Sequence, residues 1–123
     1  MIVMDQNPTA AECARLNDLC RFGELHQSRI VITRGCIDRF CNPDEPLSIF
    51  TVQSELSNKV REHKFNADDD PYGERDFGAF EHEGEKLFWK IDYYDSDLTY
   101  GSEDPSDVEK THRVLTIMLA SDY

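Results

Sequence analysis

"ERDFGAFEHEGEKLFWKIDYYD" (74–95) decides the architecture. A two-residue turn at Glu83-Gly84 would put Gly84 where a positive φ is needed and close a hairpin over residues 76–94. In that register Phe80 meets Leu87, and Gly78 meets Trp89, leaving space over the glycine for the indole. On the other face Glu81 meets Lys86, Phe77 meets Lys90 and Arg75 meets Asp92. Matched apolar pairs and opposite-charge pairs arise together from one alignment.

Working outward, "RGCIDRFCNPDEP" (34–46) reads as loop and "LSIFTVQSELSNKVREH" (47–63) as a helix. Ile49, Val52, Leu56 and Val60 share one helical face after Pro46. "RIVIT" (29–33) is short, β-branched and apolar, which predicts a buried strand. "NPTAAEC" (7–13) opens a first helix with Thr9 and Glu12 as a capping box. Cys13, Leu16, Leu19 and Cys20 then form an apolar stripe opposite Arg15, Asn17, Asp18 and Arg21, and Gly23 stops the helix. In "DPSDVEKTHRVLTIMLASDY" (104–123), Pro105, Ser106 and Glu109 are helix-start signals. They predict a last, buried helix, with a closing strand as the competing reading. The expected fold is α+β in one domain, 1–123. Helices and strands run α-β-α-β-β-α, with about three helices on an antiparallel sheet of about three strands.

The chain has 123 residues and a net charge of −12, with 39% hydrophobic and 11% aromatic residues, a folded composition. Residues 1–63 carry 9 acids and 7 bases, whereas 64–123 carry 16 acids and 6 bases. Such a face repels phosphate, which disfavours direct nucleic-acid binding and an anionic membrane surface. The opening "MIVMDQNPTAAEC" lacks a basic region followed by a long apolar run, so a cytoplasmic protein is expected. The expected partner is a basic protein.

Cys13 and Cys20 would stand about 10 Å apart on a helix, too far to pair with each other. The series Cys13, Cys20, Cys36, Cys41 lacks the short pairs of common zinc sites, so free thiols and no metal are expected.

Asp70-Pro71-Tyr72-Gly73 suits a turn leading into the hairpin, whose acids could bond local backbone. "DDDPYGERD" (68–76) lacks the ligand order of a calcium loop. No nucleophile elbow, phosphate loop, dinucleotide fingerprint or metalloprotease motif is present, so no cofactor is implied. An enzyme would draw on Glu74, Asp76, Asp92, Asp95 or His112 with Arg34, Arg75 or Lys90 as anion clamps. Glu74 and Asp92 fall on opposite faces, and Arg34-Gly35 after a strand is a faint anion signal. His26, His63, His82 and His112 lie in separate elements. The richer pattern is tyrosine beside carboxylate, which receives Arg and Lys through ring face and oxygen together. Its members are Asp68, Asp69, Asp70, Tyr72, Glu74, Asp92, Tyr94, Asp95, Asp97, Tyr100, Glu103 and Asp104.

"DPYGERDFGAF", "FWKIDYYD", "YGSEDPSD" and "RVLTIMLASDY", with "IVITRG", resemble the bacterial family called domain of unknown function 3768, over most of residues 12–123. The resemblance implies short cytosolic proteins encoded among mobile-element genes. Small acidic proteins in that setting often inhibit host defences, as anti-restriction or anti-CRISPR proteins, some by imitating DNA charge. The family pattern has a histidine where this chain has Arg75, so no general base is expected there. The two functional expectations are thus a non-catalytic acidic domain that docks on a basic, nucleic-acid-handling defence protein, and a small enzyme built around Glu74, Asp76, Asp92 and Arg34.

Overall fold

The computed structural model describes residues 8–66 and 68–123. Three helices, α1 (Pro8–Arg21), α2 (Arg34–Phe40) and α3 (Ser48–Arg61), accompany four strands. These are β1 (Ser28–Ile32), β2 (Phe77–His82), β3 (Glu85–Tyr94) and β4 (His112–Leu119), in the sheet order β1-β4-β3-β2.

The hairpin forms in the expected register: Phe77 pairs with Lys90, Gly78 with Trp89, Phe80 with Leu87 and Glu81 with Lys86. Glu83 and Gly84 both take positive φ, 50° and 80°, the conformation of a two-residue turn that matches strand twist. Arg75 does not meet Asp92. Its own φ of 57° turns the chain out of the ladder, and its guanidinium pairs with Asp18 on α1 at 2.6 Å.

The α+β class holds, but the sheet has four strands and is mixed, because the last apolar run is a strand rather than a helix. β4 lies in the interior of the sheet, antiparallel to β3 and parallel to β1. Burial along β4 alternates, with Arg113, Leu115 and Ile117 inward, but Val114, Met118 and Leu119 are apolar too, so the run resembled a buried helix. The helix-start signals at Pro105–Glu109 yield only a short 3-10 turn, Val108–Lys110.

"RIVIT" is indeed a strand, shifted by one residue, but it is an edge strand with Arg29, Ile30 and Val31 exposed. The loop expected after it contains α2, capped by Thr33, whose hydroxyl accepts from the Cys36 N–H. α3 buries Val52, Leu56 and Val60 as its spacing predicted. In α1 the helix already includes Pro8, which puts Thr9 in its first turn, and Asn7 lies outside the described residues. Glu12 pairs with Arg15. Asn17 and Arg21, expected on the solvated side, are buried. At Gly23 (φ 72°) the N–H groups of Gly23 and Glu24 return to the carbonyls of Cys20 and Leu19 and end the helix.

All three helices pack on one face of the sheet. Cys20, Cys36, Val52, Leu56 and Val60 meet Leu87, Trp89, Ile91, Leu115 and Ile117 there. Each large side chain so buried stabilises the fold by about 1.5–3 kcal/mol. The four thiols are free, and Cys41 is only half-buried. Burial raises the Cys13 and Cys36 thiols and pushes Cys20 up to about 11. No helix among the described residues is long and apolar enough to cross a membrane.

Candidate functional site

Asn66 and residues 68–76 are linked by side-chain-to-backbone turns. The Asn66 side-chain oxygen accepts from the N–H groups of Asp68 and Asp69, and the Asp69 carboxylate returns to the Asn66 N–H at 2.8 Å. Asp70 accepts from the Arg75 N–H at 2.9 Å, and the Gly73 N–H closes the turn on the Asp70 carbonyl at 3.1 Å. Gly73 can take the φ of 70° this turn needs at no steric cost. Tyr72 is left at the tip, 82% exposed.

This loop folds against the end of the hairpin and forms a cleft of about 410 Å³. Four carboxylates line it: Asp69 and Asp70 from the loop, Asp76 at the entry to β2, and Asp92 on β3. Tyr72, Phe77 and Tyr123 add rings, and Tyr123 stands edge-on to Phe77 at 5.8 Å and to Phe88 at 5.3 Å. The one base, Lys90, is engaged by Asp92 at 3.2 Å. Burial, then repulsion from Glu74, Asp70 and Asp92, raises the Asp76 carboxyl above its ordinary value. The cleft therefore holds more negative charge than its own base neutralises.

A second cleft, about 480 Å³, lies where β3 runs into the next loop and brings together Asp95, Tyr100, Glu103, Glu109 and Lys110. That loop is pre-shaped. The Asp95 carboxylate accepts from the Thr99 N–H, and the Asp95 N–H donates to the Tyr100 carbonyl. Asp104 is held by the Ser106 hydroxyl and N–H, which lower its carboxyl.

Beneath both loops runs a buried polar chain. Arg113, fully buried, donates from Nε to Asn17 Oδ1 at 2.6 Å and from Nη2 to the Pro105 carbonyl at 2.6 Å. Its guanidinium stacks over the Tyr93 ring at 4.9 Å. The Asn17 amide donates to the Tyr93 hydroxyl and to the Glu74 carbonyl, and the Tyr93 hydroxyl donates to the Glu74 carboxylate at 3.1 Å. Through Asn17 and Tyr93, Arg113 links α1, β3 and β4 to both acidic loops.

The expected binding residues divide accordingly. Asp69, Asp70, Tyr72 and Asp92 share the first cleft, and Asp95, Tyr100 and Glu103 the second. Glu74 turns inward to Tyr93, Asp104 caps its own loop, and Asp68 and Asp97 are exposed on loops. Tyr94 lines a separate cleft with Arg29, Val31, Leu98 and Val114.

Of the residues weighed for an enzyme, Asp76 joins the first cleft, while Arg34 lies on α2 paired with Asp38. His112 sits on β4 opposite Tyr94. His63 approaches Asp69 at 3.7 Å, and His82 approaches Glu55 at 3.4 Å. Tyr123 was missed in the sequence because its segment read as helix.

The family described as Protein of unknown function (DUF3768) matches residues 46–122. The chain belongs to that family. The matched stretch holds α3, β2, β3, β4 and both acidic loops, whereas "IVITRG" and β1 lie outside it. Neither the curated proteins nor the solved structures contain a match.

Proposed function

We propose that this chain is a non-catalytic docking domain whose acidic clefts receive arginine and lysine side chains of a basic protein partner. The observation that carries the reading is the first cleft, where four carboxylates and three rings surround a single, already paired lysine. A guanidinium entering there gains charge-assisted hydrogen bonds from the carboxylates and a ring face from Tyr72 or Tyr123. It also offsets the repulsion among Asp70, Asp76 and Asp92. The second cleft repeats the combination with Tyr100, Asp95 and Glu103. The partner class that fits best is a protein with a phosphate-binding surface, since carboxylates spaced along two loops offer it the charge it expects from nucleic acid. An inhibitor of a nucleic-acid-handling defence protein is the role we infer.

The test is a nuclear magnetic resonance titration of the intact chain with a short arginine-containing peptide, against its citrulline counterpart. The expected result is a set of saturable shifts at Tyr72, Asp76, Asp92 and Tyr123 with the arginine peptide alone. Equal responses to both peptides, or shifts confined to other parts of the chain, overturn the reading.

A further inference from the structure

His63 follows the end of α3 with its ring turned into the molecule. The side chain is 9% exposed, and the ring stands edge-on to Phe65 at 4.6 Å and to Trp89 at 5.6 Å. Its Nε2 is buried without a hydrogen-bond partner. The acid it faces is Asp69, whose Oδ2 lies 3.7 Å away, just beyond hydrogen-bond reach. Asp69 Oδ1 already accepts from the Asn66 N–H at 2.8 Å, which anchors the carboxylate and leaves Oδ2 toward the ring. Asp69 is also one of the four carboxylates of the first cleft.

The other charges around the ring are accounted for. Arg21 of α1 lies over Phe65 at 5.1 Å and over Trp89 at 5.8 Å, and Arg75 lies over Phe65 at 5.7 Å. Asp18 pairs with both of these arginines. β2 and β3 face the ring with Gly78 and Trp89, which do not titrate. Burial holds His63 below its ordinary 6.5, Asp69 opposes that, and Arg21 adds to it. A neutral ring leaves the Asp69 charge to the cleft. A charged one carries a buried Nε2–H that needs an acceptor, and Asp69 Oδ2 is the anion in reach.

We propose that His63 is a proton-operated regulator of the first cleft: the charged ring donates from Nε2 to Asp69 Oδ2 and takes that carboxylate's charge away from the cleft. The step adds one proton from solvent to the imidazole and needs only a small adjustment of the two side chains. Four carboxylates that faced Lys90 alone then face Lys90 and His63 together. A guanidinium or ammonium held there meets one more positive charge, so docking weakens as pH falls through the His63 midpoint. The opposition is reciprocal, and a cation bound in the cleft drives the proton off His63. The pairing of His63 with Asp69 belongs to the folded chain by itself, whereas its effect on a partner rests on the docking reading above.

The test first follows the His63 ring nitrogens by nuclear magnetic resonance in the intact, unbound chain as pH is lowered. Asp69→Asn removes the attracting charge but keeps an oxygen for the Asn66 N–H, and it should shift the His63 midpoint to lower pH. Asp70→Asn, at a side chain turned to the Arg75 N–H, should shift it less. The Asp69 carboxyl carbon should show a step at the His63 midpoint, and His63→Gln should abolish that step. An unmoved midpoint in Asp69→Asn, or a carboxyl carbon without the step, overturns the proposal. The second arm measures affinity for the arginine-containing peptide above and below the midpoint. The unchanged chain should lose roughly threefold more affinity than His63→Gln, and saturating peptide should lower the midpoint. Equal losses in the two chains overturn the proposal as well. A peptide bound at no pH overturns the docking reading, and the ring titration then decides this one.

Discussion

Trp89 leaves no room at position 78: a Cβ on Gly78 would stand 2.4 Å from the indole Nε1 and 2.8 Å from His63 Cε1. The two residues pair across β2 and β3, so the glycine is the floor on which the buried indole rests. Gly78→Ala should cost roughly 1–3 kcal/mol by overpacking, and Gly78→Val more. Urea denaturation followed by the fluorescence of the lone tryptophan measures this. A Gly78→Val chain with an unchanged midpoint would mean the indole lies elsewhere.

Arg113 should govern the order of the second acidic loop. Arg113→Met leaves Asn17 Oδ1 and the Pro105 carbonyl without their donor, at about 1–3 kcal/mol for each group left buried and unpaired. Hydrogen exchange in residues 102–111 should rise by more than in the hairpin turn at Glu83-Gly84. Uniform exchange through both segments would show that the arginine holds the whole fold rather than the loop.

Two groups give stability opposite pH dependences. Burial holds His63 below its ordinary 6.5, so the unfolded chain takes up that proton first. His63's contribution is fully present above 6.5 and is lost as pH falls below it. Asp76 is raised above its ordinary 3.8, so the unfolded carboxyl ionises first and stability falls as pH climbs from 3.8 to the folded value. Asp76→Asn should therefore raise the denaturation midpoint at neutral pH, and His63→Gln should flatten the loss below 6.5. A midpoint lowered by Asp76→Asn would contradict the crowding of charge in the cleft.

Partner kinetics should separate charge from packing. Replacing Asp68, Asp69 and Asp70 with Asn keeps the side-chain oxygens that accept the loop's backbone N–H groups, yet removes three charges. Association should slow severalfold, and the difference from wild type should shrink as salt shortens the Debye length below about 8 Å. Tyr72→Ala should instead speed dissociation, by roughly tenfold if the ring anchors an arginine. Surface plasmon resonance across a salt series reads both rates. Association untouched by salt and by the three Asn changes would remove the electrostatic basis of docking.

The hairpin was legible because its partners are near in sequence and every pair agrees on one alignment, from Glu81–Lys86 to Gly78–Trp89. β4 was not. Its partners on one side, Ser28–Ile32, lie almost the whole chain away, and no local signal announces a parallel neighbour. α2 was obscured by Gly35 and its brevity; the Thr33 hydroxyl that starts it could have been noticed. The first cleft was half visible, since the loop acids and Asp92 flank one hairpin. Tyr123 reaches it only because β4 ends beside Phe88, and Asn17 and Arg21 looked solvated because burial of a polar group depends on distant partners such as Arg113 and Val60.

The interior place of β4 bears on how the protein is made. The strand that joins β1 to β3 is residues 112–119, so while the ribosome still holds them the sheet cannot assemble across its middle. The hairpin can form early, but one edge of β3 waits unpaired, and β1 has no strand to join. Such long-range pairing also folds slowly. Until residues 112–119 emerge the nascent chain keeps its apolar face open, and its exposure to chaperones and proteases is set by the delay before that strand arrives.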